Sequence, residues 1–266
     1  MSSLKNRLER LKSFIIDKQS LLVSYSGGVD STLLAVVAHE VLGDKMSCAI
    51  IKSPLMPKAE FSDALLVIND LNIPCNVLNS GILADYDFIK NQKDRCYVCK
   101  KKNSKLLFNE AKRQGLTSVA DGTNFSDTKV FRPGFQAGKE AGIAHPFVDA
   151  EITKDDVREL ARQYNLKNAE KPSASCLVTR FSYGSVISPE MLSAVEEAED
   201  FIKSFGCGQV RVRCHGYIAR IEVDPGDMGI ILEKREEISE NLKKSGFLYA
   251  TLDLDGFVSG SMDREI

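Results

Sequence analysis

The sequence predicts an α/β protein: a parallel, doubly wound sheet followed by a smaller α+β domain. Three observations lead there. Short apolar runs alternate with amphipathic segments through the first two-thirds of the 266-residue chain, and a βαβα order of this kind implies a mainly parallel sheet with helices on both faces. A glycine-rich turn, Ser26-Gly27-Gly28-Val29-Asp30-Ser31, joins the first such run to the helical stretch after it. Near residue 185 the pattern changes to a helix followed by two adjoining alternating runs.

Each element has its own signal. Within 1–17, Leu4, Leu8, Leu11, Phe14 and Ile15 recur at helical spacing with Lys and Arg between them, which predicts a surface helix. The segment lacks the continuous apolar stretch of a signal peptide. Residues 21–25 form an apolar run, a buried strand, and 32–42 follow as a helix stopping near Gly43. Residues 47–51 are the next strand, and 57–71 are helical, with Pro57 suited to a first turn. A third strand is expected at 75–78, a helix at 98–114 ending at Gly115, and a fourth strand at 117–120. Thr153 followed by Asp156 resembles a capping box and opens a helix over 153–164. A loop of small and polar residues covers 170–188, then a helix spans 189–205 between Ser188 and Gly206. Residues 210–215 and 217–223 alternate as strands, 227–244 are helical, and 247–254 form a last strand. The expected domains are 1–185 and 186–266.

Composition narrows the function classes. With 43% hydrophobic and 27% charged residues, the chain fits neither disorder, collagen nor coiled coil. A net charge of -2 excludes the global basic field of a polyanion-coating protein and leaves room only for a local patch. No apolar run approaches a membrane span, so the cytoplasm is the expected compartment. Seven cysteines are an odd and sparse set for a disulfide scaffold. His39, His145 and His215 are too scattered to form a His-rich metal site.

The glycine-rich turn is built for an anion. Its two glycines let the backbone bend tightly and expose amides, Ser26, Ser31 and Thr32 add hydroxyls, and the next helix presents its positive end. Asp30 would repel phosphate unless a divalent cation lay between them, which implies Mg²⁺. The turn is not a Walker A loop, because the lysine of that motif is missing.

Cys96 and Cys99 form a C-x-x-C pair, and Cys176 lies far along the chain. The pair alone fits half a zinc site, a redox couple or coincidence. No second pair completes a four-ligand zinc site, and thioredoxin-like couples sit near the start of a βαβ unit. Three thiolates suit a [4Fe-4S] cluster with one open iron, which could hold a substrate atom such as sulfide. Zinc or inert cysteines remain alternatives on these residues alone. Cys48, Cys75, Cys207 and Cys214 lie in or beside apolar segments and read as small buried residues.

The hexapeptide at 26–31 resembles the PP-loop of the N-type ATP pyrophosphatases, and Asp121-Gly122-Thr123-Asn124-Phe125-Ser126-Asp127 resembles that group's second segment. The resemblance implies cleavage of ATP between its α and β phosphates, transfer of the adenylyl group to a substrate oxygen, and departure of pyrophosphate. Ser173-Ala174-Ser175-Cys176-Leu177-Val178-Thr179-Arg180-Phe181-Ser182-Tyr183-Gly184 resembles the cysteine segment of the LarE sulfur transferases. So do Phe131-Arg132-Pro133-Gly134, Val210-Arg211-Val212-Arg213 with Ile218-Ala219-Arg220-Ile221-Glu222, and Thr251-Leu252-Asp253-Leu254-Asp255-Gly256-Phe257.

That family resemblance implies a nucleotide substrate, pyridinium-3,5-biscarboxylic acid mononucleotide, whose carboxylates are adenylated and converted to thiocarboxylates for the nickel-pincer nucleotide. One branch of the family consumes the sulfur of the cysteine matching Cys176. The other adds a C-x-x-C and carries a sulfide on a [4Fe-4S] cluster, and Cys96 and Cys99 place this chain with it. The implied roles follow. Ser26, Gly27, Gly28, Val29, Asp30 and Ser31 hold ATP, with Asp30 on Mg²⁺; Ile51 and Ser53 line the adenosine; Gly122 lets the nucleotide approach closely. Cys176 and Asp30 are the expected catalytic residues. Arg211 and Arg213 alternate on one strand face and suit the substrate phosphate, and Arg180 suits a carboxylate or AMP. Lys100, Lys101, Lys102 and Lys105 read as a solvated helix face, or as a basic patch in a tRNA enzyme. A homo-oligomer and a sulfur donor, or sulfide itself, are the expected partners. Rival readings are a cluster-dependent tRNA thiolase, which the mildly acidic chain disfavours, an ATP-responsive scaffold, and sacrificial transfer from Cys176.

Overall fold

The computed structural model describes residues 3–129, 132–172 and 174–262. In chain order the elements are α1 (Leu4–Asp17), β1 (Leu21–Tyr25), α2 (Val29–Leu42), β2 (Met46–Lys52), α3 (Lys58–Asp70), β3 (Cys75–Asn79), α4 (Tyr86–Ile89) and α5 (Arg95–Arg113). There follow β4 (Ser118–Asp121), α6 (Pro133–Glu140), α7 (Pro146–Asp149), α8 (Lys154–Gln163) and α9 (Pro189–Lys203). The chain ends with β5 (Val210–His215), β6 (Ile218–Val223), α10 (Met228–Glu233), α11 (Arg235–Lys244) and β7 (Tyr249–Leu252). Two compact units result. The first comprises Met1–Ser53, Lys58–Ile82 and Asp94–Ala174, and the second Pro54–Pro57, Leu83–Lys93 and Ser175–Ile266.

The first unit holds a parallel sheet in the order β3-β2-β1-β4. Leu21 pairs with Met46 on one side and Ser118 on the other, so β1 lies at the centre. Its residues are short, apolar and almost wholly buried, the composition of a strand covered on both faces. One face packs Leu22, Ala49 and Val119 against Leu107 and Ala111 of α5. α2 packs against β1 and β2, burying Leu33, Leu34 and Val37. The chain steps outward from β1 to β2 and β3, then returns to β4 beside β1. This reversal is the topological switch point, where parallel sheets bind ligands beyond their strand ends.

Caps fix the helix borders. Ser3 accepts from the Asn6 amide at the start of α1, and Thr153 and Asp156 form the expected capping box on α8. Such caps contribute about 1 kcal/mol each. Leu11 and Ile15 bury the inner face of α1.

The second unit carries a three-stranded sheet ordered β5-β6-β7. β5 and β6 are antiparallel, closed by a two-residue turn in which Gly216 takes a φ of 64°, the conformation a type II′ hairpin requires. β7 joins β6 in parallel, and α9 and α11 pack on the sheet.

Three expectations shift. The helix expected over 227–244 is two helices, because Lys234 takes φ -92°, ψ 14° between them, without a Gly or Pro at the break to signal it. The last strand is shorter than 247–254: Phe247 is buried before it, and residues 253–256 turn back on themselves with Gly256 at φ 72°. The helix expected from residue 98 starts at Arg95, so Cys96 and Cys99 lie within it.

Candidate active site

The anion loop leaves the carboxyl end of β1. Gly27 has a φ of +77°, and a Cβ there would lie 2.4 Å from the Cβ of Ala64, so only glycine fits. Gly28 caps α2, and Val29 is its first, buried residue. Within the loop the Ser26 amide donates to Ser31 Oγ at 3.2 Å, and the two serine hydroxyls lie 3.1 Å apart. Ser31 and Thr32 hydroxyls both donate to Gly28 O, at 3.1 and 2.9 Å. Asn168, buried and distant in sequence, donates to Gly27 O at 3.0 Å and to Thr32 Oγ1 at 2.9 Å. These bonds hold the loop in one conformation.

The segment after β4 lies directly against it. A Cβ on Gly122 would come within 2.8 Å of the Ser31 nitrogen and 2.9 Å of the Asp30 carbonyl carbon. The neighbour that demands glycine here is thus the loop's own backbone, where a close-lying nucleotide was the expectation. Asn124 donates to Asp30 Oδ1 at 3.0 Å, and the Lys154 ammonium, on the first turn of α8, pairs with Asp30 Oδ2. Asp30 is therefore already neutralised by a lysine, and an ion at this carboxylate would share it with Lys154.

One residue before Gly122 stands a group that the sequence did not announce. Asp121 Oδ2 accepts from Lys100 Nζ at 2.6 Å, and His145 Nδ1 lies 2.8 Å from Asp121 Oδ1. An ionised carboxylate only accepts, which places the proton on Nδ1. Burial opposes ionisation of Asp121, but the hydrogen bond from His145 and the charge of Lys100 outweigh it and hold the carboxyl well below the ordinary carboxylate range. Lys100 is thus no member of a solvated face. Ile51 is half-buried against the Leu22 cluster at the end of β2, and Ser53 is half-buried just beyond.

The thiols separate by environment. Cys96 is exposed and Cys99 half-buried in the first turns of α5. Cys176 is exposed in the second unit, just before a short 3₁₀ turn, Leu177–Arg180. Cys48, Cys207 and Cys214 are buried, and burial pushes all three thiols up. Cys75 is half-buried, and burial pushes it up to about 11. Among the described residues no three or more His, Cys, Asp or Glu side chains gather as a metal site.

The arginines of the second unit are engaged within it. Arg180, 2% exposed, forks onto Glu199 with Nε and Nη2 at 2.8 and 3.0 Å. Its Nη1 reaches Ser175 O at 3.0 Å and Cys176 O at 3.1 Å. The expected open clamp for a carboxylate is therefore a guanidinium committed to the loop that presents Cys176. Arg213 pairs with the fully buried Glu222 at 2.8 Å and donates to Thr179 O at 3.2 Å. Arg211 lies over the Phe257 ring at 5.4 Å and donates to Val210 O at 2.7 Å. No carboxylate pairs with it among the described residues, and burial, with the charges of Arg180 and Arg213, pulls its pKa down. Phe131 and Ser173, within two of the motif segments, lie outside the described residues.

A parallel sheet whose switch point carries a glycine-containing, internally hydrogen-bonded loop at a helix N-terminus is an arrangement in which α/β sheets bind nucleotides. The family model described as NAD synthase matches residues 4–178. The chain is 34% identical to the pyridinium-3,5-bisthiocarboxylic acid mononucleotide synthase of Lactiplantibacillus plantarum, over 99% of this chain and 96% of that protein. It is 36% identical to an uncharacterised Synechocystis protein, covering 98% of each. An uncharacterised protein of Methanocaldococcus jannaschii is 34% identical over 94% of this chain and 96% of its own length. The chain belongs to the PP-loop ATP pyrophosphatases and, among them, to the LarE family. It is an ATP-using enzyme, with Mg²⁺ as the companion of the nucleotide. No described helix is long and apolar enough to cross a membrane.

Proposed function

We propose that this enzyme adenylates the carboxylates of pyridinium-3,5-biscarboxylic acid mononucleotide and converts them to thiocarboxylates, as a step in making the nickel-pincer nucleotide. The observation that carries this reading is the likeness, along nearly the whole chain, to a synthase named for the bisthiocarboxylic product. A carboxylate oxygen is a poor leaving group until it is adenylated. The loop amides and hydroxyls after β1 bind the phosphates, and Asp30 with Lys154 offers a carboxylate and a cation beside them. Asp30 would hold Mg²⁺, which would supply Lewis-acid neutralisation of the departing pyrophosphate. Ile51 and Ser53 line the adenosine.

We assign Cys96, Cys99 and Cys176 as the thiolates that would hold a [4Fe-4S] cluster, which would supply an open iron for the transferable sulfide, reloaded by sulfide or a sulfur donor. Support comes from the chemistry of the donors: two thiols one helical turn apart and a third on an exposed turn, against three buried cysteines and a half-buried fourth whose pKa is raised. Arg180 holds the carbonyls around Cys176 and so sets the presentation of its thiol. Arg211, a buried guanidinium that no carboxylate among the described residues pairs with, suits the substrate phosphate, with Arg213 beside it. In this reading residues 1–185 perform the ATP chemistry, and 186–266 bind the substrate phosphate and join copies of the chain into a cytoplasmic homo-oligomer.

Two measurements test it together. Pyrophosphate and AMP should appear only when the pyridinium biscarboxylate mononucleotide is present. Anaerobic reconstitution should give roughly four irons per chain, lost in Cys176→Ala. ATP hydrolysis to ADP, or full iron and turnover in Cys176→Ala, would reject the assignment.

A further inference from the structure

The strongest unassigned feature is the Lys100–Asp121–His145 group in the first unit. Lys100 directly follows Cys99 and stands one turn beyond Cys96. Its neighbour Lys101 is exposed, as a lysine on a helix surface ordinarily is, but Lys100 runs inward to Asp121 at 2.6 Å. A glycine opens that path: a Cβ at Gly138 of α6 would meet Lys100 Cε at 3.1 Å and His145 Cε1 at 3.5 Å. At the far end Asp121 is itself held, by His145 at 2.8 Å and by the Thr123 amide at 3.1 Å. Among the described residues His145 Nε2 is buried without a hydrogen-bond partner, and the ring's hydrogen bond is the one to Asp121. The next residue, Gly122, abuts the backbone of Asp30 and Ser31. Every step from the cysteine-bearing turn to the nucleotide loop is thus a direct contact or a peptide bond.

We propose that Lys100 is a positioning residue: its ammonium, gripped by Asp121, fixes the turn carrying Cys96 and Cys99 against the strand end that backs the nucleotide loop. This rests on the reading of Cys96 and Cys99 as the pair that handles sulfur. Loss of the ammonium frees the turn to drift, and a misplacement of about 1 Å can slow a positioned reaction by about 100-fold. The nucleotide loop keeps its own bonds, so adenylation continues while sulfur transfer fails.

The test uses the full-length chain with Lys100→Met, with Gly138→Ala, which crowds the lysine path, and with Lys101→Met as control. In metal-free protein, hydrogen exchange in peptides covering 95–104 should quicken by about tenfold in Lys100→Met, less in Gly138→Ala, and not in the control. In reconstituted enzyme, the first-turnover burst of pyrophosphate should keep its rate within about twofold while thiocarboxylate formation falls by about tenfold or more. Unchanged exchange in Lys100→Met overturns the proposal, as does an equal fall in the pyrophosphate burst and in thiocarboxylate, which marks a merely structural role. If wild type itself makes no thiocarboxylate, the proposed function fails, and the exchange comparison alone then decides the role of Lys100.

Discussion

Replacing Arg180 by methionine probes the turn that presents Cys176. The side chain is 2% exposed and its partner Glu199 is also 2% exposed, so both charges are out of water. Two parallel bonds of 2.8 and 3.0 Å join them, and Nη1 gathers Ser175 O and Cys176 O. In Arg180→Met the Glu199 carboxylate keeps, among the described residues, the hydrogen bond from the Val212 amide, 3.1 Å away. Breaking one half of a buried pair destabilises by about 3–5 kcal/mol, because the remaining charge is uncompensated. Replacing both partners by apolar residues removes that penalty, so Arg180→Met/Glu199→Leu should regain about 2 kcal/mol or more of the loss. Because the chain has two units, a single two-state transition is not assumed. Denaturant-dependent hydrogen exchange, read on peptides from β5 and from residues 175–183, isolates the affected unit. A single variant within about 1 kcal/mol of wild type, or a double variant as unstable as the single, would mean that the pair is not a desolvated, mutually dependent one.

Further outcomes follow from other contacts. Gly27→Ala should lose about 1–3 kcal/mol and most ATP affinity, since the added methyl meets Ala64 in a left-handed backbone; calorimetry showing wild-type ATP binding would contradict this. Asp121 titrates below its unfolded value of about 3.9, so its contribution is complete above that pH and vanishes as pH falls through the folded value. The stability gap between wild type and Asp121→Asn should therefore close on acidification from about pH 5 toward pH 2, and a constant gap would count against the network. A short iodoacetamide pulse on metal-free protein should label Cys96 and Cys176 and spare Cys48, Cys207 and Cys214; mass-spectrometric mapping checks the order.

The sheet was legible because its signals are local. Apolar runs of four to seven residues gave β1 to β4, and the glycines and hydroxyls at 26–32 gave both the turn and its chemistry. The C-x-x-C was visible, but not its place inside α5, because Asp94 and Arg95 start the helix without a side-chain cap bond to mark it. Lys100 looked like its solvated neighbours, since its partners stand 21 residues away at Asp121 and, through it, at His145. Asn168 and Lys154 were missed for the same reason, as each meets the loop only after the chain has crossed the sheet. Arg180 and Arg213 read as open anion clamps because Glu199 and Glu222, which neutralise them, come from other elements. Sequence spacing identifies a charge; only the fold says whether it is already answered. The glycine signal at Gly138 was the one clue within reach, and it becomes meaningful once the lysine passing over it is known.

In the proposed reaction, inorganic sulfide carried on a cluster that the protein's own thiols would hold reaches an acyl group activated by ATP. Enzyme reconstituted anaerobically with iron and ³⁴S-labelled sulfide, then given ATP and the biscarboxylate mononucleotide, tests it most directly. The heavy isotope should appear in the thiocarboxylate, with AMP and pyrophosphate beside it and the polypeptide mass unchanged. Unlabelled thiocarboxylate from a polypeptide lighter by about 34 Da, the loss of H₂S from a consumed cysteine, would contradict it.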